Sequence, residues 1–348
     1  IKNTGDTLID LLTKYVAVRI ETDEGVSGET LSLGGGVGMA YYIESTVKPY
    51  LIGKNPLHRE AIWQGMWHYN RFWLSPVTMI GVIDTALWDL YGKLTNQPVA
   101  QILGLYRDKL PTYASSMTKP TRGEFVEEAL RYKERGFHGY KVHAIGDPEG
   151  DIDICTRIRA AVGDAYALMI DVVSGYDQAQ AMRVGRALEE LGFLWYEEPL
   201  REYDVHGYKM LCDKLDIPIA GVEVNEGSMY TTPEYIVTRA VDIVRSCVGF
   251  KAGIGQVKKT AGMAEAFGMN CELHTNGNPV LDAANLAVAA SIKNTSFFEQ
   301  LVPERLFNFG VEKFIEIDAD GYAHVPAGPG LGMKIDWDYV GRYAVAEM

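Results

Sequence analysis

ALMIDVV (Ala167–Val173), FLWYEEP (Phe193–Pro199) and IPIAGVE (Ile217–Glu223) are three apolar, strand-like runs, and each carries an acid at its end: Asp171, Glu197 and Glu223. Successive acids stand about one βα unit apart. In a parallel barrel the carboxyl ends of neighbouring strands open on one mouth, so the three carboxylates are expected to converge. Converging carboxylates repel one another unless a hard cation lies among them. The pattern therefore predicts a Mg²⁺ site with Asp171, Glu197 and Glu223 as ligands, leaving positions that a substrate carboxylate can fill. Glu198 follows Glu197 directly. Neighbours on a strand point to opposite sides, so Glu197 is assigned to the mouth and Glu198 to supporting contacts.

Outward from these runs the same rhythm continues. Apolar stretches begin near Leu110, Gly139, Ala167, Phe193, Ile217, Asp242, Asn270 and Ser296, with helical segments such as Glu124–Arg135, Gln178–Leu191 and Val257–Phe267 between them. Gly136, Gly192 and Gly268 stand where helix C-termini want glycine. Eight strands alternating with helices predict an α/β fold with a closed parallel barrel. No GxGxxG turn follows the first of these strands, which weakens a dinucleotide-binding reading. The glycines from Gly34 to Gly38 precede no P-loop lysine and read as a loop.

The region before the barrel has another character. YVAVRIETDEGVSGE (Tyr15–Glu29) alternates apolar and polar residues and turns at Asp23-Glu24-Gly25, a hairpin pattern. From Gly38 to Leu105 the period is helical, with Ile80, Ile83, Ala86, Leu87 and Leu90 on one stripe. Together these predict a small α+β domain. The tail after Gly310 reads as a further hairpin and a turn that return to this domain. The chain opens on Ile1 with one clear strand before the turn, so a first strand and capping loop are expected to be missing.

Four further residues carry candidate chemistry. Lys141 and His143, in GYKVHAI on the second strand, are spaced by two and point the same way. Lysine suits polarising a carboxylate, and histidine suits proton transfer near neutral pH. His274, in NCELHTN, ends the seventh strand opposite them. Glu299, in SFFEQ on the eighth, follows two aromatics, where an ionised carboxylate is costly; it is expected to be protonated and to donate a hydrogen bond. Tyr69, Arg71 and Trp73 in HYNRFW are candidates for lining the pocket.

Composition narrows the partners. The 348 residues hold 33 basic and 46 acidic side chains, a net charge of −13, which argues against nucleic acid. A small anionic substrate remains compatible, because a bound divalent cation inverts the local field. Cys155, Cys212, Cys247 and Cys271 lack CxxC spacing and read as reduced thiols. Neither a signal peptide nor an apolar run of membrane-spanning length occurs, so no membrane partner and a cytoplasmic location are expected.

This set of residues resembles the enolase superfamily, in the branch related to mandelate racemase and muconate lactonizing enzyme. TDEG and SGE (Thr22–Gly25, Ser27–Glu29) resemble its first-domain hairpin, and PGLG (Pro329–Gly332) its C-terminal signature. Asp171, Glu197 within YEEP, and Glu223 match its metal ligands. Lys141 and His143 match its second-strand Lys-x-Lys pair, and His274 and Glu299 its seventh-strand base and eighth-strand donor. The resemblance implies a modified (β/α)₈ barrel, (β/α)₇β, over 110–314. It also implies a capping domain over 1–109, completed by 315–348, and a homo-oligomer. The implied chemistry is abstraction of the proton α to a carboxylate through an enediolate.

Two departures matter. Cys247 stands where the branch carries the aspartate that orients the seventh-strand histidine, and His143 replaces a lysine. The expectation is an acid-sugar dehydratase, with His143 as base, His274 as acid and a 2-keto-3-deoxy acid as product. A lactone or anhydro-sugar cycloisomerase or an epimerase is the runner-up. A non-catalytic relative is the rival from another class.

Overall fold

The computed structural model describes residues 14–73 and 75–348. Strands β1 (Ala17–Glu21) and β2 (Ser27–Leu31) pair antiparallel. They turn at Gly25, whose φ of 78° suits a residue without Cβ. Five helices follow: α1 (Gly36–Tyr42), α2 (Lys48–Leu51), α3 (Arg59–Trp73), α4 (Val77–Leu94) and α5 (Val99–Ile102). The stripe Ile80, Ile83, Leu87 and Leu90 on α4 is buried and packs with Val18, Trp63 and Met66 into a core of its own. Gly28 lets the hairpin lie against α4, because a Cβ there would stand 2.0 Å from the Ala86 carbonyl oxygen.

Eight parallel strands then alternate with seven helices. In chain order these are β3 (Lys109–Ser115), α6 (Arg122–Glu134), β4 (Gly139–His143), α7 (Pro148–Val162), β5 (Ala167–Asp171), α8 (Gln178–Glu190) and β6 (Trp195–Glu197). After them come α9 (Val205–Lys214), β7 (Ile219–Gly221), α10 (Thr232–Thr238), β8 (Ile243–Ser246), α11 (Ile254–Ala266), β9 (Asn270–Leu273), α12 (Pro279–Ser291) and β10 (Phe298–Leu301). The sheet runs in sequence order from β3 to β9, and β10 returns to pair with β3. No ladder joins β9 to β10 among the described residues. At that seam the Glu272 carboxylate accepts the backbone N–H groups of Ser296 and Phe297 and the Thr295 hydroxyl, at 2.9–3.3 Å.

Strand alternation sorts the barrel side chains. Leu168 and Ile170 of β5 join the core beneath the helices. Met169, between them, meets Tyr113, Trp195 and Ala220 in an apolar floor inside the barrel. Two residues nearer the carboxyl ends of β5 and β6, the same inward face carries Asp171 and Glu197.

The tail meets the barrel first: β11 (Tyr322–His324) pairs antiparallel with β3. The expected tail hairpin is present in short form: Ile317 bridges Ala323 antiparallel, and the Asp318 and His324 N–H groups donate to the Tyr322 and Glu316 carbonyls, each at 2.9 Å. Beyond it the Leu331 N–H donates to Asp89 Oδ1 at 2.9 Å. Trp337, opening α13 (Trp337–Tyr343), donates to Glu29 Oε1 at 2.8 Å. The four cysteines are unpaired. Among the described residues no helix is long and apolar enough to cross a membrane.

Candidate active site

Lys141 Nζ is the hub of the barrel mouth. It lies 2.9 Å from Glu197 Oε1, 2.8 Å from Glu299 Oε1 and 3.4 Å from Asp171 Oδ2, and it is fully buried. β4 places it beside β5 by register, Lys141 opposite Met169 and His143 opposite Asp171. Two carboxylates hold its ammonium charged, well above the ordinary lysine range, against the opposing effect of burial.

The three predicted ligands stand at or just past the carboxyl ends of adjacent strands, Asp171 and Glu197 closing β5 and β6 and Glu223 two residues beyond β7, and all are buried. Burial alone would push the Asp171 carboxyl up, but Lys141 and His143 hold it below the usual carboxylate range. Its Oδ1 accepts the Val173 N–H at 2.9 Å. Glu197 spends Oε1 on Lys141 and Oε2 on the Trp195 indole, each at 2.9 Å. Glu223 is pushed well above its ordinary value by burial, and its Oε2 has no hydrogen-bond partner. Glu198 accepts the Glu223 N–H at 2.9 Å; burial, then Asp171 and Glu197, raise it to about 7.

In kind, this donor set fits a hard divalent cation: every donor is oxygen, the surplus charge is negative, and one buried carboxylate oxygen, Glu223 Oε2, accepts no hydrogen bond. In arrangement, no three His, Cys, Asp or Glu side chains among the described residues are gathered closely enough to hold an ion. Two basic groups, Lys141 and Arg245, stand among the acids.

The two histidines sit at different acids. His143 Nε2 faces Asp171 Oδ2 at 3.3 Å. His274 Nε2 lies 3.5 Å from Glu223 Oε1, and its ring stacks on Phe250 with centroids 5.9 Å apart. Burial, with Arg245 and Lys141 adding to it, lowers His274 to about 3 despite Glu299, so the imidazole is neutral. Cys247 does not orient it. The thiol instead accepts from Asn276 Nδ2 at 3.2 Å and from the Phe250 N–H at 3.3 Å, and His274 Nδ1 has no partner.

The expectation for Glu299 needs correction. Burial favours its protonated form, but Lys141 at 2.8 Å and Arg245 Nη2 at 2.8 Å clasp its two oxygens and hold it ionised, well below the usual range. The aromatics before it also divide: Phe297 joins the barrel floor and Phe298 the outer core. Tyr69 and Arg71 of HYNRFW are not drawn into this cluster. Tyr69 packs edge-on against Tyr50 at 5.5 Å, Arg71 lies over Phe72, and the Trp73 side chain is outside those described.

Arg245 is the residue that reading the sequence missed. Its Nε lies 2.9 Å from Glu197 Oε1 and 3.5 Å from Glu223 Oε2. Nothing local in IVRS (Ile243–Ser246) marks it, because its three acids come from other strands of the barrel. Lys251, also missed, is buried against Asn225 without a carboxylate partner, and burial lowers it to about 8.

Residues 11–104 match the mandelate racemase/muconate lactonizing enzyme N-terminal domain, and residues 124–339 the enolase C-terminal domain-like family. An arabinonate dehydratase from Saccharolobus solfataricus is 32% identical, over 92% of this chain and 88% of that protein. A D-glucarate dehydratase from Agrobacterium tumefaciens, solved with magnesium, superposes with a TM-score of 0.87 at 34% identity, over 95% of this chain and 91% of that one. A 3,6-anhydro-D-galactonate cycloisomerase from Zobellia galactanivorans gives 0.87 at 30% identity, over 94% and 93%. The chain belongs to the mandelate racemase/muconate lactonizing enzyme group of the enolase superfamily. It is an enzyme of that group's dehydratase or isomerase type, and magnesium is the metal expected of the family.

Proposed function

We propose that this enzyme dehydrates an acid sugar, removing the proton α to the carboxylate and expelling the 3-hydroxyl to leave a 2-keto-3-deoxy acid. The observation that carries this reading is the placement of two imidazoles at different acids of one mouth, His143 at Asp171 and His274 at Glu223. Elimination needs a proton taken at one carbon and given at the next, and two separately held imidazoles supply both. The relatives named for dehydration of arabinonate and glucarate support the substrate class.

The charges around the imidazoles favour roles opposite to those expected from the sequence. His274 is neutral because it is buried, so in the resting site it accepts a proton, and Glu299 stabilises the imidazolium that results. His143 faces a carboxylate and is the group that delivers a proton to the departing hydroxyl. Lys141 holds Glu197 and Glu299 in place and presents its ammonium where the substrate carboxylate gathers charge. Asp171, Glu197 and Glu223 are the residues that would hold Mg²⁺. When bound, the ion supplies positive charge to the carboxylate of the substrate being deprotonated.

A second reading, cycloisomerisation of a sugar lactone or anhydro sugar, is favoured by the similarity to the anhydrogalactonate enzyme. It shares the α-proton step and differs in the group that leaves. The test is mass spectrometry of aldonic acids, aldaric acids, lactones and anhydro acids after incubation with enzyme and Mg²⁺. Loss of one water from an open-chain acid supports dehydration. An isomer of unchanged mass from a cyclic substrate replaces it with the second reading.

A further inference from the structure

Arg245 has no part in the chemistry just described, yet it is as fully buried as Lys141. It comes from β8, on the opposite wall from Lys141, and none of its surface is exposed. Its guanidinium reaches three of the site's acids: Glu197 and Glu223 through Nε at 2.9 and 3.5 Å, and Glu299 through Nη2 at 2.8 Å. Its Nη1 is buried with no partner. A surface arginine would be solvated; here a rigid, permanently charged fork is enclosed among carboxylates.

We propose that Arg245 is a resident counter-cation of the carboxylate ring: it positions Glu197 and Glu299 before the divalent ion arrives, and it competes with that ion for Glu197 and Glu223. The proposal rests on the metal reading above.

The charge balance gives the reason. Asp171, Glu197, Glu198, Glu223 and Glu299 surround the mouth, all buried. Lys141 reaches Asp171, Glu197 and Glu299 but not Glu223. Arg245 is thus the cation that serves Glu223, and Glu197 and Glu299 are each held from both sides. Lysine could relieve strain by losing its proton; arginine cannot. The fold therefore carries a fixed positive charge where the metal's own charge has to fall. Two cations sharing carboxylates repel, so the same contact that stabilises the metal-free protein weakens its grip on the ion.

The experiment compares wild type, Arg245→Met and Arg245→Lys, stripped of metal with chelator. Each is melted with and without MgCl₂ and titrated calorimetrically with MgCl₂, at mildly alkaline pH so that the carboxylates stay ionised. Arg245→Met is expected to melt several degrees lower without metal, to gain more from added Mg²⁺ than wild type does, and to bind it about tenfold more tightly or better. Arg245→Lys keeps a charge but loses the fork that spans three acids. It is expected to fold and to bind Mg²⁺ more tightly than wild type by a smaller factor, which keeps the test open if the methionine variant fails to fold. Variants that fold and bind Mg²⁺ no more tightly than wild type overturn the proposal alone. A wild type that binds no Mg²⁺ overturns the metal reading, and the competition with it.

Discussion

Lys141 Nζ and Glu299 Oε1 stand 2.8 Å apart, both side chains fully buried, on strands β4 and β10 that flank β3. The pair closes the mouth electrostatically. Removing one partner of a buried pair leaves an uncompensated charge, at a cost of about 3–5 kcal/mol. Lys141→Met is therefore expected to lower the unfolding free energy by that order and to abolish turnover, read by urea denaturation and by product formation. A variant of wild-type stability would contradict the geometry assigned to Lys141.

Glu223→Gln should move two properties in opposite directions. Burial holds the Glu223 carboxyl well above its ordinary value, with Glu198 and Glu197 adding to the effect, so the ionised form is disfavoured in the folded state. A neutral isostere removes that burden. The metal-free variant is expected to melt higher than wild type, while its affinity for Mg²⁺, measured by calorimetry, falls. Unchanged affinity would remove Glu223 from the ligand set.

The two histidines separate by what each variant retains. His274→Asn is expected to lose exchange of the substrate α-proton along with turnover, by ~10²-fold to 10⁴-fold, with Mg²⁺ binding intact. His143→Asn is expected to lose turnover but keep exchange, because the α-proton is still removed while the hydroxyl no longer receives one. The reverse pattern would restore the roles read from the sequence.

Asp282 on α12, which the proposed chemistry does not use, gives a stability prediction. Burial raises its carboxyl from 3.8 to about 8, even though Asn276 donates its backbone N–H to it at 2.6 Å. Between those values the folded protein keeps a proton that the unfolded chain has released. The stabilisation is therefore fully present below the lower value and is lost as pH rises through the upper one. Asp282→Asn is expected to flatten that decline, seen by comparing urea midpoints at about pH 6 and about pH 9. An equally steep decline in the variant would assign it to other groups.

Much of the barrel was legible because its signals are local. Each apolar run keeps strand periodicity, and an acid ending three consecutive runs marks the mouth; Asp171, Glu197 and Glu223 were all visible this way. Glycines at 136, 192 and 268 do take positive φ after their helices. What could not be read was who meets whom across the barrel. Arg245 looks like any strand arginine until the barrel closes and brings Glu197, Glu223 and Glu299 to it. The charge on Glu299 depends on two cations from distant strands, so a rule about desolvation alone gave the wrong ionisation. The partner of Cys247 is Asn276, twenty-nine residues on, a contact that no spacing in the chain announces.

Abstraction of the α-proton is the claim on which both readings of the reaction rest. Proton NMR in D₂O, with Mg²⁺ and a panel of aldonic and aldaric acids, lactones and anhydro acids, tests it most directly. The account predicts that at least one acid loses its α-proton signal in the presence of the enzyme, with new C3 methylene signals if water leaves. An α-proton signal that persists while the same acid is converted to product would contradict it.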